Sequence, residues 1–384
     1  MNSILNKIKS SYNLKELFTF VDEKIELELF KYNKFFKNKI DLTINDYISF
    51  FKKQKFEANY NFIINLKFDV DYLNTLKNEY MEIKNKIENK NYENEEDKKK
   101  LIEDLEKKSN ELKRNRFMGL PFFIHYKEFI KIFYDDKQGE TKAFYNFFDN
   151  ETIPEIKILI DKDGNIDDCF SMFANCMTLK EIKFIKFNTK DITSMRHMFY
   201  LCSHLRNLDL SNFDTSNVTT MFGMFKKCYL LESLKISESF VTSKVEDMQY
   251  LFEDCNNITN LDLHYLDTSN IDNLSYMFNQ CKKLQKVDIS KFNTEKVFEF
   301  HAMFQGCESL TNVNLSSFKT DNLKSITNMF NNCKNLYEID LSNFNFERLE
   351  EVENSFTNCP AKIKLKKNSK LANFIAADKI IYVD

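Results

Sequence analysis

Tryptophan is absent, and glycine and proline number only 5 and 3 in 384 residues. So little of either excludes collagen-like and Gly/Pro-rich low-complexity chains. It also argues against the glycine-rich loops that cradle dinucleotides and phosphates. No stretch approaches the ~20 apolar residues of a membrane-spanning helix. Residues 1–9 lack the apolar run of a signal peptide. These absences predict an intracellular, cytoplasmic protein without membrane insertion, or a surface protein if an export signal has been removed. Charge of one sign is not in excess either: the net is −3. It is uneven, at +2 over residues 1–150, −9 over 151–360 and +4 over 361–384. An acidic middle block argues against nucleic acid as the partner.

What is present is a strict beat. None of the nine cysteines precedes Cys169. The last eight are Cys176, Cys202, Cys228, Cys255, Cys281, Cys307, Cys333 and Cys359, spaced by 26 residues with a single step of 27. A fixed period of this size marks a repeat array, not the irregular spacing of a disulfide framework. Phenylalanine lies three residues before each cysteine, as in Phe199 and Phe278. Leucine or isoleucine lies three residues after it in seven repeats, as in Leu205 and Ile258. Thr189, Thr215, Thr242, Thr268, Thr294 and Thr320 form a further column.

Each repeat changes period halfway. Ile192, Met195, Met198, Phe199 and Cys202 recur at steps of three and four, which predicts a short helix. Ser216 or Asn217 is its expected N-cap before Val218 in the next repeat. Leu208-Asp209-Leu210 alternates, which predicts a short strand. One repeat cannot bury its apolar face alone, but a stack can. The expectation is an α/β solenoid of about seven to eight coils over 151–360, each a short helix plus a short strand.

The run Leu208-Asp-Leu-Ser-Asn-Phe213-Asp-Thr215-Ser-Asn-Val218-Thr-Thr-Met221-Phe-Gly-Met224-Phe225-Lys-Lys-Cys228 resembles the BspA-like leucine-rich repeats. The resemblance spans roughly residues 165–360 and recurs repeat after repeat. It implies a leucine-rich-repeat solenoid used for adhesion or protein binding, often at cell surfaces.

The repeat columns divide by role. The cysteines are expected to be small buried thiols, because no C-x-x-C pair and no histidine in register offers zinc spacing. Cys169, off the ladder, is expected to be more exposed. The Met-Phe column is expected in the core, and the threonines are expected to tie turns through side-chain hydrogen bonds. The best ligand surface is the outward strand column: Lys183, Asp209, Lys235, Asp262, Asp288, Asn314 and Asp340. In register, neighbouring strands lie about 4.8 Å apart, so Asp262 and Asp288 become adjacent like charges. A cation or a basic partner relieves that repulsion; solvated carboxylates on an open face are the alternative.

Residues 1–150 carry no repeat and are expected to form a helical domain. Leu73, Leu76, Tyr80, Ile83 and Ile87, then Leu101, Leu105 and Leu112, predict a helical hairpin over 73–115 with a polar turn near 88–98. Residues 122–148 should cap the first coil, and 361–384 the last. Leu14, Leu17, Phe18 and Val21, followed by Leu27, Leu29 and Tyr32-Asn-Lys-Phe35, resemble an F-box over residues 12–42, without its usual early proline. That resemblance implies that those four side chains grip a Skp1-type adaptor, with the repeats capturing a substrate for ubiquitin transfer.

No active site stands out. The five histidines fall outside any H-E-x-x-H pattern, and there is neither a G-x-S-x-G nor a P-loop. Asp161-Lys-Asp163-Gly164-Asn-Ile-Asp167 has Met172 where a calcium loop places its bidentate Glu, so it should simply turn the chain into the first coil. The expectation is a non-enzymatic, cofactor-free scaffold that binds a protein on its strand-lined face. A ubiquitin-ligase substrate receptor and a cell-surface adhesin are the alternatives.

Overall fold

In the computed structural model the described residues are 60–383, except 90–91, 114–117, 119, 135–136 and 139–154. The chain divides into two compact units, residues 1–60 and 61–384. The F-box-like segment 12–42 lies outside the described residues.

The second unit opens with strand, not helix. In β1 (Tyr60–Phe68) Phe62, Ile64, Leu66 and Phe68 are buried along one face, while on the other Ile63 is buried and Lys67 exposed. Helix α1 (Val70–Glu88) follows at once, its N-terminus closed by Asp69, which accepts from the Tyr72 amide at 3.1 Å. Helix α2 (Glu95–Lys113) begins with Glu95, Glu96 and Asp97, acidic residues that suit the positive end of the helix dipole. The two helices pack on each other, with Lys108 of α2 2.5 Å from Glu79 of α1. A short α3 (Leu120–Tyr126) leads to β2 (Ile130–Tyr134), β3 (Lys137–Gln138) and β4 (Ile156–Asp161). The expected helical domain over 1–150 is thus corrected in its described part: Tyr60–Phe68, Ile130–Tyr134 and Lys137–Gln138 are strands. The β-branched and aromatic run Ile130-Lys-Ile-Phe-Tyr134 is itself a strand composition.

β5 (Leu179–Phe187) belongs to the first repeat and pairs antiparallel with β1, from Phe62↔Phe187 to Phe68↔Leu179. The five strands run in the order β3-β2-β4-β1-β5. Between β4 and the first repeat, Asp161 caps a single tight turn at Lys162–Gly164, and Asn165 is left-handed with φ 40°. The segment is a turn that leads the chain into the first repeat, as expected.

Beyond β5 the repeats stack by parallel pairing one period apart. β6 (Asn207–Asp209) pairs with β7 (Ser233–Lys235), and β8 (Asn260–Asp262) with β9 (Lys286–Asp288). Parallel bridges join Asp168, Ser194, Thr220 and Asp247 in one series, and Asn273, Glu299, Ser325 and Glu351 in another. β10 (Glu338–Asp340), β11 (Lys362–Lys366) and β12 (Ile380–Val383) form a final parallel sheet that includes the C-terminal segment.

The expected short helices are absent from the described repeats; linked β-turns replace them. In the second repeat the amides of Met198, Tyr200 and Cys202 donate to the carbonyls of Met195, His197 and Phe199, three residues back. The intervening amides of His197, Phe199 and Leu201 donate to Phe222, Met224 and Lys226 of the next repeat. An α-helix would keep every amide within itself; here alternate amides hold the stack together. Two residues per repeat, five and one before the cysteine, have positive φ: His197 and Leu201, Gly223 and Lys227, Tyr250 and Asp254. Positive φ is what the third position of a type II turn needs. The three- and four-residue spacing is therefore that of successive turns. The proposed N-cap accordingly caps no helix; Ser216 donates its amide to Asp214 instead.

The core is a file of phenylalanines. Phe173, Phe199, Phe225, Phe252, Phe278, Phe304, Phe330 and Phe356 stack with centroids 5.2–6.0 Å apart and planes within 3–16°. Burying each aromatic or Leu side chain contributes about 1.5–3 kcal/mol. All nine cysteines are buried and unbridged, Cys169 among them, which corrects its expected exposure. Six thiols also donate to the phenylalanine carbonyl of the preceding repeat, as Cys228 Sγ does to Phe199 O at 3.2 Å. The threonine hydroxyls bridge repeats too: Thr242 Oγ1 donates to Asp267 O and accepts from the Asp267 amide, at 2.8 and 2.7 Å.

Candidate functional site

The outward strand column is exposed at Lys183, Asp209, Lys235, Asp262, Asp288, Asn314 and Asp340. Its carboxylates are not loose. Asp209, Asp288 and Asp340 each accept from the hydroxyl and the amide of the serine two residues on, at 2.5–3.0 Å. Those serine donors hold the three carboxyls below the usual Asp range. In Asp262 the partner is His264, through its amide and through Nδ1 at 2.5 Å. Asn314 accepts from the Ser316 amide. The column is thus also a row of Asx turns that end each strand and bend the chain.

Pairing across repeats gives the column a pattern of charge. Lys235 Nζ lies 3.1 Å from Asp209, in the register Asp209↔Lys235. Asp262 faces Asp288 directly across β8 and β9, the like-charge pair the spacing predicts. Asp340 lies beside Lys364, which pairs with Glu338 at 2.6 Å. Lys183 pairs with Glu181 within β5 at 3.0 Å. Asn314 stands apart, in a segment between β9 and β10 that is not a strand. Leu14, Leu17, Phe18 and Val21 lie outside the described residues.

Between β5 and β6 the strand side opens into a groove of about 720 Å³. Lys180, Lys183, Arg206 and Lys235 bring four cations to it, and Glu181 and Asp209 two carboxylates. Phe184, Leu208 and Phe213 supply apolar lining, and Ile185 stands 52% exposed at its edge. Reading the strand column alone misses Lys180, Arg206 and Ile185. Arg206 sits one residue before its strand, 26 residues from its ion-pair partner Glu232, so the repeat period was the available signal.

On the turn side a second file is built from Phe222, Tyr250, Tyr276 and His301, with centroids 4.6–5.1 Å apart. Arg196 lies over Phe222 and Lys226 over Tyr250, at 4.4 and 4.1 Å. The ring faces are occupied by one another and by these cations. Among the described residues no group of three or more His, Cys, Asp or Glu side chains is placed to hold a metal ion. No described helix is long and apolar enough to cross a membrane.

A family described as "Mycoplasma protein of unknown function, DUF285" matches the chain twice, over residues 167–285 and 252–369. The two matches together span 167–369, more than half of the 384 residues. The chain belongs to the DUF285 family. The matched span of this DUF285 protein contains the turn file, the phenylalanine core and the strand column. No curated protein and no solved structure matches it.

Proposed function

We propose that the DUF285 repeats form a solenoid of the BspA-like leucine-rich-repeat kind. On this reading the chain is a non-enzymatic scaffold that binds a protein partner across its strand-lined face. The observation that carries this reading is the strand column: exposed charged side chains at a fixed interval, each held by its own turn or ion pair. A surface ordered before binding loses little conformational entropy on docking, so more of the contact energy becomes affinity. Complementary charge would set register and partner choice. Asp262 and Asp288, forced side by side, favour a partner that brings a basic group between them.

The test is to purify the full-length protein from its own cells, identify what accompanies it, and measure the affinity of that protein for the wild type and for Asp262→Lys/Asp288→Lys. Loss of affinity with unchanged melting supports the reading. Unchanged affinity for every accompanying protein contradicts it.

A further inference from the structure

The turn side of the stack has a direction. Alternate amides of one repeat donate forward, and alternate carbonyls of the next accept them. Ser194 O and Arg196 O accept in this way from the amides of Cys169 and Ser171, at 2.9 and 3.0 Å. No repeat precedes the first. Among the described residues no amide donates to the equivalent carbonyls of Asp168 and Phe170. Helix α3 flanks this end instead, and a cavity of about 290 Å³ lies between the helix and the first repeat. Phe122, His125 and Tyr126 line it from α3, and Asp167, Asp168 and Phe170 from the repeat.

The lining is acidic and aromatic, and among the described residues it holds no lysine or arginine. Both carboxylates are oriented through Oδ1: Asp167 accepts from the Tyr126 hydroxyl at 3.3 Å and Asp168 from the Phe170 amide at 2.6 Å. Among the described residues the other oxygen of each has no partner, and neither aspartate forms an ion pair. Arg196, at the position of Phe170 in the next repeat, lies over the Phe222 ring at 4.4 Å instead. Ring surface is open beside the charges, since Phe170 is 36% exposed and His125, edge-on to Tyr126, is exposed too. Two uncompensated carboxylates, backbone carbonyls and ring faces together suit a flat cation with several donors. A guanidinium is planar, carries five N–H donors and stacks on aromatic faces, whereas an ammonium is a point charge with three. The volume is just below the ~300–1,000 Å³ of small-molecule pockets and matches a single side chain better. We propose that this cavity receives an arginine side chain of a partner protein, with the guanidinium against Asp167 and Asp168 and its flat face on Phe170. The site lies outside the strand column, and the inference does not rest on the strand-face reading.

The probe is N-acetyl-arginine amide, blocked at both ends as a residue within a chain is. Its binding to the full-length protein is followed by saturation-transfer NMR at low salt. Transfer to the arginine side chain is expected, and binding should weaken about tenfold in Asp167→Asn and in Asp168→Asn. Each substitution keeps an oxygen that accepts from Tyr126 or Phe170, so the melting temperature should not move. Binding should also weaken as salt screens the charges, and the uncharged citrulline analogue should not bind. The proposal is overturned if the arginine amide shows no transfer at millimolar concentration. It is overturned equally if the citrulline or lysine analogue binds as tightly, or if Asp167→Asn/Asp168→Asn binds the arginine amide unchanged. Free arginine binding where the blocked amide does not would make the cavity a metabolite site, which also overturns it. These variants leave Asp262 and Asp288 intact, so failure here leaves the strand-face reading standing, and failure there leaves this one.

Discussion

The imidazole of His197 lies where a side chain on Gly223 would begin: a Cβ built on Gly223 meets His197 Cδ2 at 2.7 Å and Nε2 at 2.9 Å. Gly223 also has a φ of +56°, in the region that favours glycine. The two residues occupy equivalent positions in consecutive repeats, five before the cysteine. A larger residue at one is accommodated by the absence of one at the next. Gly223→Ala should therefore destabilise by about 1–3 kcal/mol, from left-handed strain plus the clash. His197→Ala in that background should recover the clash component. Denaturant midpoints of the four proteins in a double-mutant cycle measure it; additive effects would contradict the contact.

His197 also gives the stack a pH dependence. Burial, then Arg196 and Lys226, bring its pKa from 6.5 down to about 4. Below 6.5 the unfolded chain takes up a proton that the folded chain refuses, so stability falls as pH drops from 6.5 towards 4. The lowered carboxyls of Asp209, Asp288 and Asp340 act in a lower window, since their stabilisation is lost only as pH falls through their folded-state values. His197→Asn keeps a residue tolerant of left-handed backbone and removes the titration. Its melting temperature should drop less than that of the wild type between pH 7 and pH 5.

Phe278 is fully buried, with Phe252 at 5.9 Å and Phe304 at 5.3 Å on its two faces. Phe278→Ala should cost about 3–5 kcal/mol, the usual range for removing a core aromatic. Chemical denaturation measures the loss. A cost below about 1 kcal/mol would show that the file relaxes around the missing ring.

The thiols should be silent in the native protein. All nine are buried, and burial pushes the Cys228 thiol up to about 12, with Cys202, Cys255 and Cys307 also raised well above their ordinary value. The thiolate is the reactive form. At pH 8 a thiol reagent should label none of the nine until denaturant is added, and then all of them. Rapid labelling of any cysteine in the folded chain would contradict this packing.

The repeat was legible in the residues that make contact at every turn. The spacing of Cys202, Cys228 and Cys255, with Phe and Leu at fixed offsets, places the core columns where the structure has them. The local backbone was not legible from spacing alone. Met195, Met198, Phe199 and Cys202 fit a helix and a chain of β-turns equally well, because both bring residues three and four apart to one side. The discriminating signal lay in the intervening positions. Asn175, Gly223, Gly306, Asn328, Asn332 and Asn358 recur where φ is positive, and glycine and asparagine are the residues that tolerate it. The strand at Tyr60–Phe68 was hidden by its neighbours: Ile63, between Phe62 and Ile64, is apolar and buried as well and breaks the alternation, and helix follows two residues after Phe68. The strand column was found from its period, while the pairing of β1 with β5 joins residues more than a hundred apart and no local pattern announces it.

The central claim is that the strand side, not the turn side, meets the partner. Hydrogen exchange of the full-length protein, alone and with the protein that accompanies it from its own cells, tests this most directly. The account predicts slowed exchange in peptides spanning Asn207–Asp209, Ser233–Lys235, Asn260–Asp262 and Lys286–Asp288, with those spanning Phe222, Tyr250 and Tyr276 unchanged. Protection confined to the turn-side aromatic file, with the strand peptides unchanged, would contradict it.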